Sequence, residues 1–211
     1  LDELHVVFDH DGTISTLRQG WEHIMEPMMI RAILGERYAS ADETLYHRVV
    51  HRVRDYIDKS TGIDTLVQMA ALVEMVREFG VVPPRDILDT AGYKAIYNNA
   101  LMAVVDGRLA KFRCGELDID DVTVKGAVAF LRSRRGLGVT LYLASGTDDG
   151  EVRREAEALG YAGLFDGGIY GALDRAQAHA KRRVIQRILG GNGLDGSRLA
   201  VFGDGPVELR E

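Results

Sequence analysis

Cysteine is almost missing from this sequence. Cys114 is the single one among 211 residues, which excludes an intrachain disulfide framework and points to a reducing, cytoplasmic compartment. Long apolar runs are missing too. None approaches the ~18 residues needed to cross a bilayer, so no membrane span is expected. No secretory leader is legible at the start. The sequence opens on Leu1 rather than Met, which leaves the true start open. Positive charge is not in excess: 26 Lys and Arg stand against 32 Asp and Glu, for a net charge of −6. With no basic stripe, nucleic acid is not an expected partner. An acidic balance still admits an anionic substrate, because a bound cation reverses the sign locally. Internal repeats and low-complexity tracts are absent as well.

What is present is ordinary for a globular chain: 46% hydrophobic and 27% charged residues, over a length that suits one large domain or a domain with an insertion. Three short apolar runs read as buried strands: Leu4 to Phe8, Val139 to Ala144 and Leu199 to Phe202. Each ends in a polar turn containing glycine, DHDGT, SGTDDG and GDGP. Gly168-Ile169-Tyr170 is a candidate further strand. Strands separated by helical patterns predict an α/β fold with a parallel sheet and helical crossovers.

Helical periodicity fills the interval between the first two strands. Trp21, Ile24, Met25, Met28 and Ala32 recur at helical spacing, with Pro27 expected to start or kink a helix. Leu45, Val49, Val53, Tyr56 and Ile57 repeat the pattern. So do Leu66, Met69, Ala70, Val73 and Val76, with Gly80 as the stop. A fourth helix is predicted from Ile87 to Val105, opened by Pro83-Pro84, and a fifth from Asp120 to Arg135. A crossover helix needs about a dozen residues, whereas about a hundred intervene here. An all-helical module over residues 17–112, inserted into a sheet core of residues 1–16 and 113–211, is the natural reading, with Lys111 to Asp121 as the return hinge. Later, Thr147 or Asp148 can cap a helix ending at Gly160, and Arg175 to Leu189 is a helix stopped by Gly190-Gly191. The chain ends soon after the third clear strand, so a longer natural protein is expected.

Sites in open parallel sheets form beyond the carboxyl ends of the strands. Asp9 and Asp11 therefore share a site with Ser145 and Asp204. Strand alternation would turn Asp9 and Asp11 to one side and His10 to the other. Two adjacent carboxylates repel unless a cation or an uneven proton count relieves them. Mg²⁺, which prefers oxygen ligands, suits such a pair. Gly12 and Thr13 fit a turn whose backbone approaches a ligand. His47 and His51 lie four apart on a predicted helix but have no third ligand, so a solvated face is expected. Cys114 is given no role, and Met25, Met28 and Met29 are expected to pack among the helices.

DHDGT at 9–13, ASGT at 144–147, Lys181 in HAKRRVI and GDGPVE at 203–208 resemble, in order, the four motifs of the haloacid dehalogenase-like superfamily. The resemblance covers nearly the whole chain. It implies a Rossmann-like core with helices on both faces and an inserted helical (C1-class) cap. Asp9 would be the nucleophile that forms an aspartyl-phosphate. Asp11 would be the general acid and then the general base, its backbone carbonyl also binding Mg²⁺. Ser145, the Gly146 N–H and Thr13 would hold the phosphoryl group, and Lys181 would neutralise its charge. Asp9 and Asp204 would ligate the metal. Glu208 stands where the family more often has Asp, one methylene shorter, and would be a direct or outer ligand. In capped relatives a loop like KSTGID, residues 59–64, faces the site, which makes Thr61 and Gly62 candidate substrate contacts.

The second aspartate narrows the chemistry. Dehalogenases of this fold lack it, phosphonate-cleaving members carry a small residue there, and transport ATPases carry Thr. The resemblance thus implies a phosphatase acting on a small phosphorylated metabolite such as a sugar phosphate. A phosphomutase of the β-phosphoglucomutase type would use the same residues. A non-catalytic binding module is disfavoured by the presence of Asp9, Asp11 and Asp204. Substrate identity and oligomeric state are not legible in the sequence.

Overall fold

The computed structural model describes residues 4–60, 63–172, 180–193 and 196–204. The chain divides into two compact units, Gly20–Val104 and Leu1–Gln19 with Val105–Glu211.

The Gly20–Val104 unit is helical. It holds α1 (Glu22–Leu34), α2 (Glu43–Lys59), α3 (Thr65–Phe79) and the start of α4 (Thr90–Arg113). Aspartates set the starts of two helices. Asp42 accepts a hydrogen bond from the Leu45 N–H at 2.9 Å, and Asp64 accepts one from the Leu66 N–H at 2.7 Å. Such caps each stabilise a helix by about 1 kcal/mol. Val49, Val53 and Ile57 form the buried stripe of α2, and Met69, Leu72, Val73 and Val76 that of α3. Both helices pack against α1, which buries Met25, Met29, Ile30, Ile33 and Leu34. Met28 is only partly buried.

Pro27 neither starts nor ends a helix here; α1 begins at Glu22 and continues through it. Pro27 is exposed, so the hydrogen bond it lacks is lost on the wet side, while the apolar stripe continues on the other. The fourth helix starts later than the prolines suggested. Pro84–Asp86 form a 3₁₀ turn, and α4 opens where Asp89 accepts from the Gly92 N–H at 2.8 Å. It also ends later, at Arg113, because the buried series Tyr97, Leu101, Val105 runs on to Leu109.

The second unit is built on four parallel strands: β1 (His5–Phe8), β2 (Thr140–Asp148), β3 (Gly168–Ala172) and β4 (Leu199–Phe202). Among the described residues their order is β3-β2-β1-β4. All four residues of β1 are buried, which explains its unbroken apolar run. Val7 packs with Tyr142, Ala144 and Ile188. Phe8 turns the other way and meets Phe130 edge-on, with ring centroids 6.3 Å apart. The helices of this unit after α4 are α5 (Ile119–Val122), α6 (Ala127–Gly136), α7 (Asp149–Ala158) and α8 (Ala180–Asn192). Phe130 lies on α6 and Ile188 on α8, so helices cover both sheet faces.

Two further expectations are corrected. The single helix from Asp120 to Arg135 is split into α5 and α6. Between them the backbone pairs with the segment after β1: Thr16 N–H donates to Val122 O at 3.0 Å and Val124 N–H to Ile14 O at 2.8 Å. A backbone committed to that pairing cannot also complete a helix. Gly190 and Gly191 do not stop α8, which runs to Asn192. Gly193 follows with φ +61°, the left-handed position that glycine takes at helix ends. Residues 175–179 lie outside the described residues.

Candidate active site

DHDGTIS leaves β1 as a closed turn. Gly12 N–H donates to Ser15 O at 2.9 Å, and Ser15 N–H donates back to His10 O at 2.9 Å. β1 has already ended at Phe8, so strand alternation does not extend to the aspartates. His10 therefore does not face away from Asp11: its Nδ1 lies 3.4 Å from Asp11 Oδ1. This is an electrostatic contact, since neither atom completes a hydrogen bond among the described residues.

Asp9 is buried, and its N–H donates to Phe202 O at 2.8 Å. That bond joins the ends of β1 and β4 and brings GDG beside DHDG. A Cβ added at Gly12 would lie 2.7 Å from Asp204 Cγ, and Gly12 has φ +78°. Glycine is needed there twice over: for the backbone conformation and for the close approach of the Asp204 carboxylate.

SGT is not a turn after β2 but part of it. β2 continues to Asp148, with its register to β3 slipping between Ala144 and Asp148. The irregular stretch turns two hydroxyls toward the second aspartate. Thr147 Oγ1 donates to Asp11 Oδ2 at 2.8 Å and Ser145 Oγ does so at 3.4 Å. Ser145 is buried and also accepts from the Thr147 N–H at 3.0 Å. Gly146 lies between them. Thr13 Oγ1 is buried and has no hydrogen-bond partner among the described residues.

Behind Asp11 lies a charged layer that motif reading did not find. Arg18 is buried and donates to Glu155 Oε1 at 2.6 Å and Glu151 Oε2 at 2.8 Å, with its Nε 3.6 Å from Asp11 Oδ1. Glu155 is fully buried. The two glutamates share one face of α7, four residues apart. Two like charges at that spacing repel, and this was the one sequence signal that a cation had to be near. His10 Nε2 meets the Tyr161 hydroxyl at 2.7 Å. With Nδ1 facing Asp11 and Glu155, the tautomer protonated at Nδ1 fits best, with Tyr161 donating to Nε2.

Burial alone would raise the Asp11 carboxyl. The His10 imidazole, the Arg18 guanidinium and the Thr147 hydroxyl together overrule it and hold Asp11 well below the usual carboxylate range. For Glu155, burial wins over the Arg18 charge and its pKa is raised. Burial opposes the Arg18 charge, but Asp11 and the glutamates outweigh it and raise Arg18. Burial likewise raises Tyr161, keeping its hydroxyl a donor.

Ligand atoms of His10, Asp11 and Glu155 lie within 4.8 Å of one another, close enough to suggest a cation site. Arg18 already supplies positive charge there, and a second cation would meet it at short range. Asp9 and Asp204 stand at the ends of β1 and β4, which the Asp9 N–H bond to Phe202 O joins, and carboxylate oxygens are the donors that a hard divalent cation prefers. Lys181 lies in α8, but its side chain is outside what is described. Thr61, Gly62 and Glu208 also fall outside the described residues. His47, His51 and Cys114 are exposed.

A family model described as haloacid dehalogenase-like hydrolase matches residues 4–210. No curated protein matches the sequence at a significant level. Among solved structures, a predicted phosphatase from Clostridium acetobutylicum is similar at 14% identity and TM-score 0.59, over 98% of this chain and 78% of that one. A haloacid dehalogenase-like family hydrolase from Streptococcus pneumoniae is similar at 15% identity and TM-score 0.57, over 99% and 79%. A β-phosphoglucomutase candidate from Thermotoga maritima is similar at 17% identity and TM-score 0.53, over 98% and 78%. At these identities the likeness speaks for the fold alone.

Proposed function

The chain belongs to the haloacid dehalogenase-like hydrolases, and from that premise we propose that it is a Mg²⁺-dependent phosphatase acting on a small phosphorylated metabolite, of the sugar-phosphate kind. What supports this reading is that Thr147 and Ser145 donate to Asp11, while Asp204 lies against Gly12 in the turn that carries Asp9 and Asp11. Phosphoryl transfer asks a protein mainly for positioning and charge compensation.

In this reading an Asp9 carboxylate oxygen attacks phosphorus, forming the aspartyl-phosphate as the bond to the leaving oxygen breaks. Asp11 passes its proton to that oxygen, so the alcohol departs neutral. Asp11 then takes a proton from water as the water attacks the aspartyl-phosphate, which frees phosphate and restores Asp9. As described, Asp11 is held ionised, the state of the base. The negative charge of an arriving phosphate ester acts in the opposite sense, raising the carboxyl toward protonation. Ser145 and the Gly146 N–H are the donors for the phosphoryl oxygens, joined by Thr13, whose hydroxyl has no other partner among the described residues. Lys181 is assigned to the same charge, and Thr61 and Gly62 to the substrate. Asp9, Asp204 and the Asp11 carbonyl would hold Mg²⁺, with Glu208 as a direct or outer ligand. The ion would offset phosphate charge beside two carboxylates. The helical module of residues 17–112 is proposed as the cap that selects the substrate.

A phosphate-release screen over many metabolites, with Mg²⁺, with chelator and with Asp9→Asn, tests the proposal. Release that depends on Mg²⁺ and disappears in Asp9→Asn is the expected result. Release at the wild-type level in Asp9→Asn would remove the nucleophile. Conversion of a sugar 1-phosphate to its isomer without free phosphate would instead make the chain a mutase.

A further inference from the structure

Arg18 belongs to none of the four motifs and has no part in the transfer just outlined. It is nevertheless a buried arginine, and such a charge persists only when partners hold it. Glu155 and Glu151 grip its Nη2 at 2.6 and 2.8 Å from one face of α7. Its backbone is tied down too. Arg108 donates to the carbonyls of Thr16, Leu17 and Gln19 at 3.3, 2.6 and 2.9 Å, stapling the loop on both sides of Arg18. The guanidinium is thus fixed by α7 and by its own loop, independently of Asp11.

The two oxygens of Asp11 are then sorted. Oδ1 faces Arg18 Nε at 3.6 Å and His10 Nδ1 at 3.4 Å. Oδ2 faces Thr147 and Ser145 on β2, the stretch assigned to the phosphoryl group. Among the described residues no hydrogen bond fixes Oδ1, and the Arg18 Nε–H donates to Glu155 Oε2 at 3.5 Å. The guanidinium charge and the imidazole act on Oδ1 electrostatically and favour the rotation of the carboxylate that leaves Oδ2 facing β2.

We propose that Arg18 is a positioning residue for Asp11: clamped by Glu151 and Glu155, its guanidinium attracts Oδ1 so that Oδ2 is the oxygen presented to the leaving group. The proposal rests on the phosphatase reading. Proton movement is unchanged from that reading; Arg18 decides which Asp11 oxygen carries it. Loss of Arg18 therefore harms substrates in proportion to how much their leaving group needs a proton.

The test compares an alkyl phosphate, which needs that proton, with p-nitrophenyl phosphate, whose leaving group departs without it. Wild type, Arg18→Lys, Arg18→Met and the double variant Arg18→Met/Glu155→Gln are assayed on both. In Arg18→Met, kcat/KM for the alkyl ester should fall about 100-fold and that for p-nitrophenyl phosphate less than about 5-fold, since well-placed acid–base groups contribute at least about 100-fold. Arg18→Lys should recover part of the difference. Equal losses on both esters, or no loss on either, would overturn the proposal. If Arg18→Met fails to fold because Glu155 is left buried without its partner, the double variant removes that charge and carries the comparison. A crystal structure of the double variant gives a reading without substrate. Asp11 should leave its 2.8 Å contact with Thr147; retention of that contact would sink the idea. A wild-type protein that hydrolyses neither ester with Mg²⁺ counts against the phosphatase reading, and the crystal structure then judges Arg18 by itself.

Discussion

The helical unit and the sheet unit handle buried polar groups in opposite ways. Among the described residues of Gly20–Val104, the buried polar side chains are Ser60 and Gln68. They satisfy one another: Gln68 Nε2 donates to both the Ser60 carbonyl and its hydroxyl at 3.1 Å. No charge is involved, and the rest of that interior is aliphatic with methionine and tyrosine. In the sheet unit, Asp9, His10, Arg18 and Glu155 are all buried, within or behind the turn after β1. A neutral pair in the one unit ties the end of α2 to α3. The charged layer in the other fixes the orientation of a carboxylate. Buried charge is retained where a group must be held in one place, and is absent where packing alone suffices.

The strongest way to break this contrast is at its chemical centre. Asp9→Asn should lower phosphate release by roughly 10⁴-fold or more, the scale on which loss of a nucleophile registers, while thermal unfolding stays near wild type. Wild-type turnover in that variant would mean the charged layer serves something other than catalysis. Next in size is Arg18→Met, which leaves Glu155 buried without its partner. Removing one member of a buried ion pair costs about 3–5 kcal/mol, read from urea unfolding, and a loss under about 1 kcal/mol would show that the layer is wetter than described.

A pH experiment sharpens the same contrast. Asp11 lies below its ordinary value of 3.8 in the folded state. A depressed carboxyl contributes stability that is present above the unfolded value and lost as pH falls through the folded one. Glu155, being raised, works in the opposite sense: its contribution is present below its unfolded value and is lost as pH rises through its folded one. Asp11→Asn removes only the first effect, so its unfolding free energy should fall less than that of wild type on acidification below about pH 4. Parallel acid limbs in the two proteins would contradict the assignment. The smallest effect is expected in the helical unit. Ser60→Ala should cost about 1 kcal/mol, the usual value of a neutral hydrogen bond, with no change in the ratio of alkyl to p-nitrophenyl phosphate hydrolysis. A cost as large as that of Arg18→Met would erase the distinction between the two interiors.

Much of this was visible in the sequence because it is local. The strands announce themselves as short apolar runs ending in polar turns, and the stripes of α2 and α3 as residues three and four apart. The misreadings share a cause. Asp120 to Arg135 has helical periodicity throughout, but pairing with residues 14–16 claims its middle. SGT looks like a turn because it follows an apolar run, yet β3 keeps it in the sheet. His10 was turned away from Asp11 by a strand alternation that had already ended. Arg18 went unseen because Glu155 lies 137 positions away and no spacing rule joins them. The two glutamates on α7 showed only that a cation was wanted, not which one.

The sequence by itself determined the strand-end carboxylates, the order of the four motifs and the helical character of the long interval. These follow from turn chemistry and periodicity, which act over a few residues. Only the tertiary structure decided that β1 lies between β2 and β4. That position brings Asp204 against Gly12 and the β2 hydroxyls against Asp11. The tertiary structure also chose the partners of the buried charges, because a charge withdrawn from water is satisfied by whatever the packing of distant segments places beside it.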